Sequence, residues 1–379
     1  MKIDYLVVGS GLTGATIARK LMDAGRDVMV VDRRPHLGGN VHDHQHASGI
    51  RIHTYGPHYF RTSSERLWEW VGQFAPFYKY EAVVRSLVDG EYENWPIASS
   101  YIRRKLGNRW SPEFTGVASN FEEACLGMMP RLIYEKFVKG YTEKQWGVPC
   151  NQLSSELARR FEVRGDDEPR LVRHKYQGIP TNGYASLMQN MLAGIPMLLN
   201  FDYLKSKEEI RPVKKLVFTG PIDEFFGYDW GSLKYRGQKR LTEFFHDSDF
   251  AMPCGQVNNP DPKSGSHIRT LEWKHMLDPQ SKLKIRGTVL TRETTYSPTN
   301  PEDYEYPFPD RANALLFQRY SKRAQANPNL LICGRLGEYR YYDMDQAIAR
   351  AMVLADHLLT ERQGRHDSKR PVVLAQPSK

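Results

Sequence analysis

The sequence predicts an α/β fold in which a βαβ domain, begun at the N-terminus and closed near the C-terminus, is interrupted by a helical insertion and an antiparallel β-sheet insertion. Three observations carry this. Residues 3–8 form a buried-type strand that runs into Gly9-Ser10-Gly11-Leu12-Thr13-Gly14 and then into a helical pattern. From about residue 63 to 161 the chain turns to long helix-like stretches rich in Trp, Phe, Leu and Arg. After these come β-type runs separated by Pro, Asn and Gly, and residues 330–334 lead through a glycine into a last helix.

The first element is the most legible. Residues 13–24 place Ile17, Leu21 and the small Ala18 on one face, Gly25 stops the helix, and residues 27–32 form a second strand. The three glycines meet separate demands: a tight turn, close approach of backbone N–H groups to a pyrophosphate at the helix N-terminus, and close helix–strand packing. Asp32 stands 18 residues after Gly14, where an acid meets a ribose hydroxyl. The hexapeptide alone is also found in ordinary glycine turns; the strand, helix, second strand and acid around it make it a dinucleotide site. The following Arg33-Arg34-Pro35-His36-Leu37-Gly38-Gly39-Asn40 resembles the second glycine cluster of FAD proteins of the glutathione-reductase type, with a plain Gly-Gly surface turn as the alternative. The predicted class is thus an FAD-binding Rossmann-like domain carrying two insertions.

Further on, residues 64–74 and 121–138 read as helices, and residues 82–89 and 91–96 as a hairpin around Asp89-Gly90. Residues 215–219, 266–273 and 285–291 read as strands and 344–359 as the closing helix. The expected division is 1–62, 196–230 and 328–362 for the dinucleotide domain and 98–165 for the helical domain with a mobile substrate loop. Residues 63–97, 166–195 and 231–327 form the β-sheet domain, and 363–379 a loose polar tail.

Composition narrows the classes. The 379 residues carry 53 Lys+Arg against 44 Asp+Glu, a formal charge of +9, but the basic residues are spread along the chain, so no nucleic-acid partner is expected. No run approaches the roughly 18 apolar residues of a membrane span. The chain enters its first strand at once, so no signal peptide is expected, and a cytoplasmic location is the default. Cys125, Cys150, Cys254 and Cys333 have no metal or redox spacing and read as packing thiols; no metal site is expected.

Between Phe137 and Arg164 aromatic residues (Phe137, Tyr141, Trp146) stand beside arginines. Such a set suits a flat base and a phosphate, since rings stack and a guanidinium grips the anion. Periodicity alone favours the other reading, in which the rings are helix core and the arginines a solvated face.

The chain resembles the UDP-galactopyranose mutase family along nearly its whole length. The matches come in order: the first glycine turn, Y-G-P-H at 55–58, G-Y-T-E-K-Q-W-G at 140–147, Y-Q-G-I-P at 176–180, and T-G-P-I-D at 219–223. They continue with I-R-T-L-E-W-K-H at 268–275, E-Y-P at 305–307 and G-R-L-G-E-Y-R-Y-Y-D-M-D-Q at 334–346. The resemblance implies an FAD enzyme that interconverts pyranose and furanose rings of a nucleotide-activated galactose. In that family the reduced flavin's N5 attacks the anomeric carbon, the diphosphate leaves, and the opened sugar recloses through another oxygen. It also implies a nucleotide-sugar substrate, an external reductant and a homo-oligomer.

Carried over residue by residue, the resemblance makes Arg160, Arg269, His58 and Arg61 the catalytic candidates, Arg160 and Arg269 as a diphosphate clamp. Asn94, Phe137, Tyr141, Trp146, Asn259, Tyr306 and Tyr341 fall at substrate positions, with Trp146 on a closing loop. Gly9, Gly11, Leu12, Thr13, Gly14, Asp32, Arg33, Gly39, Asn40, His58, Gly334, Arg335, Asp343 and Met344 fall at cofactor positions; Asp343 could equally cap the last helix. Three departures bear on the sugar. Arg61 replaces a usual histidine, Trp95-Pro96-Ile97-Ala98 replaces L-P-x-N, and Leu171 falls where the family has a tyrosine. The expected activity is the UDP-galactopyranose reaction or a close analogue. The alternatives are a mutase for another nucleotide sugar (dTDP-fucose, UDP-amino sugar or pentose type), a flavin oxidase or dehydrogenase, and a catalytically silent binder.

Overall fold

The computed structural model describes residues 1–108 and 110–360; the expected tail lies outside them. Alternation along the first strand sets the architecture. In a five-stranded parallel sheet, Met197–Leu198, Val28–Val31, Lys2–Val8, Arg211–Phe218 and Leu330–Ile332 lie side by side in that order. Val7, Val30 and Val217 point to one face, where they bury the helices Leu12–Asp23 and Met344–Thr360 through Ile17, Leu21, Ile348 and Ala351. Leu6, Met29, Val31 and Leu216 point to the other face, against Tyr320 and Ala324 of the helix Arg311–Gln325. A parallel sheet covered on both faces needs apolar residues on both, which is why these strands read as continuous apolar runs.

The second sheet has seven strands, in the order Tyr306–Pro307, Tyr235–Phe245, Thr288–Tyr296, Arg269–Glu272, Gln256–Asn258, Val84–Val88 and Glu91–Trp95. It is antiparallel except where Gln256–Asn258 pairs in parallel with Val84–Val88. Its last hairpin closes as expected: Asp89 (φ 53°) and Gly90 (φ 84°) both take the left-handed conformation of the tight two-residue turn. Tyr235–Phe245, its longest strand, is absent from the sequence reading, because its second half is largely exposed and its apolar residues do not alternate with polar ones. The strand expected at 285–291 begins instead at Thr288, since Gly287 turns at φ 77° and the short helix Pro279–Lys284, capped by Asp278, precedes it.

The helix expected over 121–138 is two separate pieces. Phe121–Leu126 ends at Gly127, and Pro130, which lacks an N–H, starts the next stretch, where Arg131–Ile133, a wide π-type turn Tyr134–Lys139 and Gly140–Trp146 follow without a break. Through Phe121, Ile133, Tyr134 and Phe137 these pieces join Tyr101 in a hydrophobic core separate from the two around the parallel sheet. The four cysteines are free and buried. No described helix is long and apolar enough to cross a membrane.

The glycine turn is sterically compelled. A Cβ on Gly14 would stand 2.0 Å from the Gly9 carbonyl oxygen, and one on Gly9, at φ 106°, would stand 2.0 Å from the Thr219 hydroxyl. We predict that Gly14→Ala forces the turn and helix apart and lowers stability by about 1–3 kcal/mol, the usual cost of overpacking. A thermal unfolding midpoint unchanged from the wild type contradicts this.

Candidate active site

Two cavities meet between the sheets. The smaller, about 200 Å³, lies along the glycine turn and is lined by Gly9, Gly11, Leu12, Thr13 and Gly14, with Asp32, Arg33 and Gly39 beside them. The larger, about 690 Å³, lies between the second sheet and the helical region. Asn40, His58, Arg335 and Met344 line both, so they mark the junction. Gly334 lies on the small cleft, whereas Asp343 faces only the large cavity.

The small cleft is ordered by hydrogen bonds of its own. Asp32 accepts from the Ser10 N–H (2.7 Å) and hydroxyl (2.6 Å) with one oxygen and from the Arg34 N–H (2.9 Å) with the other. Arg33 is committed to Glu224 through two bonds of 2.8 and 2.9 Å, so it is a fixed part of the rim. A Cβ on Gly39 would come within 3.1 Å of Gly11. The two glycine clusters thus pack closely on each other, and both line the cleft where a pyrophosphate can approach the backbone.

In the large cavity the cations are held by strand register. Glu293 is paired across one neighbouring strand with Arg240 and across the other with Arg269. All three side chains point to one face, and Glu293, fully buried, accepts from Arg240 (2.9 Å) and Arg269 (2.5 Å). Arg240 also grips Glu305 with two bonds of 2.8 and 2.9 Å. Burial opposes the charge of Arg269, but Glu293 more than offsets it, and the guanidinium stays firmly protonated. Burial likewise pushes Glu293 up, while Arg269 and Arg240 pull it below the ordinary glutamate value. Gly56 belongs to the same construction: at φ 89° a Cβ there would stand 2.8 Å from Glu293.

Around Arg269 the expected substrate residues divide. Tyr306 and Tyr341 line the cavity with rings parallel at 6.1 Å, and the Arg160 guanidinium lies 3.9 Å over Tyr341. Burial pushes the Tyr306 phenol up to about 12, so it keeps its proton as a donor at neutral pH. Tyr141 lines the cavity too. Trp146 does as well, but it ends a helix, 5% exposed and packed edge-on against Phe308, instead of riding on a loop.

Three placements correct the expectation. Phe137 is core, edge-on to Tyr101 at 4.8 Å, and does not reach the cavity lining. Asn94 lies outside that lining, and Asn259, also outside it, holds the 259–267 loop by donating to Ser264 and His267 carbonyls. Here periodicity, which reads Phe137 as core, prevails. Asp343 does not cap the last helix with its side chain: the Gln346 carboxamide accepts the Asp343 N–H, and the Asp343 carboxylate turns to Arg61 at 3.1 Å. Of the departures, Trp95 and Leu171 face the cavity, whereas Ala98 is buried away from it.

His58 carries the junction. Its Nδ1 lies 2.8 Å from the Gly56 carbonyl, which only accepts, so Nδ1 holds the proton and Nε2 is left as an acceptor. Burial, with Arg335 adding to it, pushes the ring down to about 3, so it is neutral under ordinary conditions. Sequence reasoning missed Glu293, Gln256 and Asn258. The last two are buried in the cavity lining, and the Gln256 amide donates to Asn258 (2.9 Å). Only the I-R-T-L-E and E-Y-P matches pointed near this network.

Fold and site together define an α/β protein with a Rossmann-like dinucleotide cleft opening onto a cavity of fixed cations and tyrosines. The chain belongs to the UDP-galactopyranose mutase family, a family of isomerases: that family's model matches residues 136–341, and a model for NAD(P)-binding Rossmann-like domains matches 7–74. It is 31% identical to a probable UDP-galactopyranose mutase of Klebsiella pneumoniae over 372 residues, covering 94% of this chain and 95% of that protein. It is 30% identical to the dTDP-fucopyranose mutase of Escherichia coli over 373 residues, covering 92% and 97%. A crystal structure of reduced UDP-galactopyranose mutase shares the fold, with a TM-score of 0.75 at 17% identity over 95% of this chain and 94% of that one.

The Glu293 network yields a prediction. A carboxylate held below its ordinary value stabilises the fold above that value and loses this contribution as pH falls. Glu293→Gln, which leaves the buried Arg269 without its carboxylate while Arg240 keeps Glu305, is expected to cost about 3–5 kcal/mol near neutral pH. In denaturant titrations the gap to the wild type should narrow as pH drops below 4.5, the ordinary glutamate value; a gap that does not change with pH contradicts the assignment.

Proposed function

We propose that the protein binds FAD along the Gly9–Gly14 cleft and, with the flavin reduced by an external reductant, interconverts the pyranose and furanose forms of a nucleotide-activated sugar. The observation that supports this most is the meeting of the two cavities at His58, with the Arg269–Glu293–Arg240 set behind the larger one. The glycine turn fits a dinucleotide because Gly9, Gly11 and Gly14 line the cleft, Gly14 lets the helix N-terminus close onto the turn, and at Gly11, where a Cβ would meet nothing nearer than 3.9 Å, the backbone is open. Gly9, Gly11, Gly14, Asp32 and Gly39 would hold it, with Asn40, His58, Arg335 and Met344 at its reactive end. When bound and reduced, the flavin supplies an electron-rich nitrogen nucleophile for the anomeric carbon.

The chain's own residues supply the rest. Arg160 and Arg269 would hold the diphosphate as negative charge builds on it, Tyr306 would donate its hydroxyl to it, and Tyr341, whose hydroxyl goes to Asp343, would support Arg160 with its ring. Because Arg269 is already fixed by Glu293, little reorganisation is needed when that charge develops. His58, neutral, adds no competing cation at the junction. Trp95, Trp146 and Leu171 wall the cavity with apolar surface that limits water.

UDP-galactopyranose or a close analogue is the substrate this reading favours; the near-equal likeness to a dTDP-fucopyranose mutase keeps that second nucleotide sugar alongside it. The test is to reduce the purified protein with dithionite and incubate it with both, following the furanose isomer by chromatography. Arg269→Ala should keep the yellow cofactor yet lose turnover about 10²- to 10³-fold, as expected for truncating a charge-assisted contact. Oxidation of an amine or alcohol without any isomerisation, or full turnover by the variant, would overturn the reading.

A further inference from the structure

One charged pair in the large cavity has no task in the reading above. Arg61 sits on the short strand Phe60–Thr62, where pairing with Gln177 fixes its backbone. Asp343 immediately precedes the helix Met344–Thr360. Their side chains meet at 3.1 Å, 22% and 33% exposed, and both line the cavity. The Asp343 oxygen that faces Arg61 also accepts from the Tyr341 hydroxyl at 3.3 Å. That carboxylate is free to turn inward because Gln346 does the capping of the Asp343 N–H.

What the pair leaves open is informative. Among the described residues, the second oxygen of Asp343 accepts no hydrogen bond, and Arg61 donates none beyond its contact with Asp343. Open donors and an open acceptor therefore stand side by side, with no net charge between them. Their complement is a group that both accepts and donates, such as a hydroxyl. A carboxylate or sulfate at that spot would meet Asp343, and an ammonium would meet Arg61; both are disfavoured. The position suits a sugar: the pair lines the large cavity, and Met344, the next residue, lines both cavities, so the pair stands beside their junction.

Resting on the proposed function, we propose that the Arg61–Asp343 pair selects the sugar by reading one hydroxyl of the pyranose, so that the enzyme favours an uncharged sugar hydroxylated there over one deoxygenated at the same carbon. A site built to bond a hydroxyl rejects the analogue that lacks it, because its polar groups are left unpaired.

The experiment measures kcat/KM for UDP-galactopyranose and its 2-, 3- and 6-deoxy analogues with reduced wild type, Arg61→Met and Asp343→Asn. In the wild type one analogue should lose about 5- to 150-fold. In both variants that penalty should fall to about threefold or less, while the penalties at the other two carbons hold. Arg61→Lys, which keeps the ion pair but loses the planar fork, guards against misfolding and should give an intermediate ratio. Turnover with every penalty unchanged in the variants overturns this inference alone. A wild type that converts none of these sugars and no dTDP-fucopyranose sinks the underlying reading and this inference with it.

Discussion

A carboxylate buried between two arginines is the constraint on which the rest of the molecule depends. Glu293 is fully enclosed, and only the cross-strand register that sets Arg240 on one side and Arg269 on the other makes its charge tolerable. Isolated, such a charge would cost several kcal/mol. In return the network fixes Arg269 at the cavity before any ligand arrives. A guanidinium held this way loses little side-chain freedom on binding an anion, which is the sense in which the site is preorganised.

The same register explains how the two halves of the chemistry are brought together. Gly56, which must lack a side chain to pass Glu293, also offers its carbonyl to His58 and so fixes the tautomer at the junction of cleft and cavity. The parallel sheet positions the glycine turn, and the second sheet positions the cations; residues 55–58 and 334–344 stitch them at the point where a ligand in one cavity would meet a ligand in the other.

How much of this was legible depended on whether the demand was local. The glycine turn, the hairpin at Asp89-Gly90 and the last helix follow from steric rules acting within a few residues, and they stand where expected. Tyr235–Phe245 did not show itself, because a strand exposed along half its length has no alternation to read. The Arg240–Glu293–Arg269 set joins residues 53 and 24 positions apart, and only register brings them together. Among the arginines near residue 160, composition and periodicity could not say which faces the cavity, and only the family resemblance pointed to Arg160. Arg160 lies over Tyr341, while Arg164 is buried and spent on the carbonyls of Glu168, Arg170 and Leu171. Phe137 likewise could be core or ligand contact by composition, and packing assigns it to the core.

On the proposed function the two cavities hold different partners that touch at His58. A crystal structure of the protein with FAD and a nucleoside diphosphate tests that most directly. The prediction is FAD along the Gly9–Gly14 turn, with the diphosphate in the larger cavity against Arg160, Arg269, Tyr306 and Tyr341. A diphosphate bound elsewhere, with Arg269 still turned only to Glu293, would contradict it.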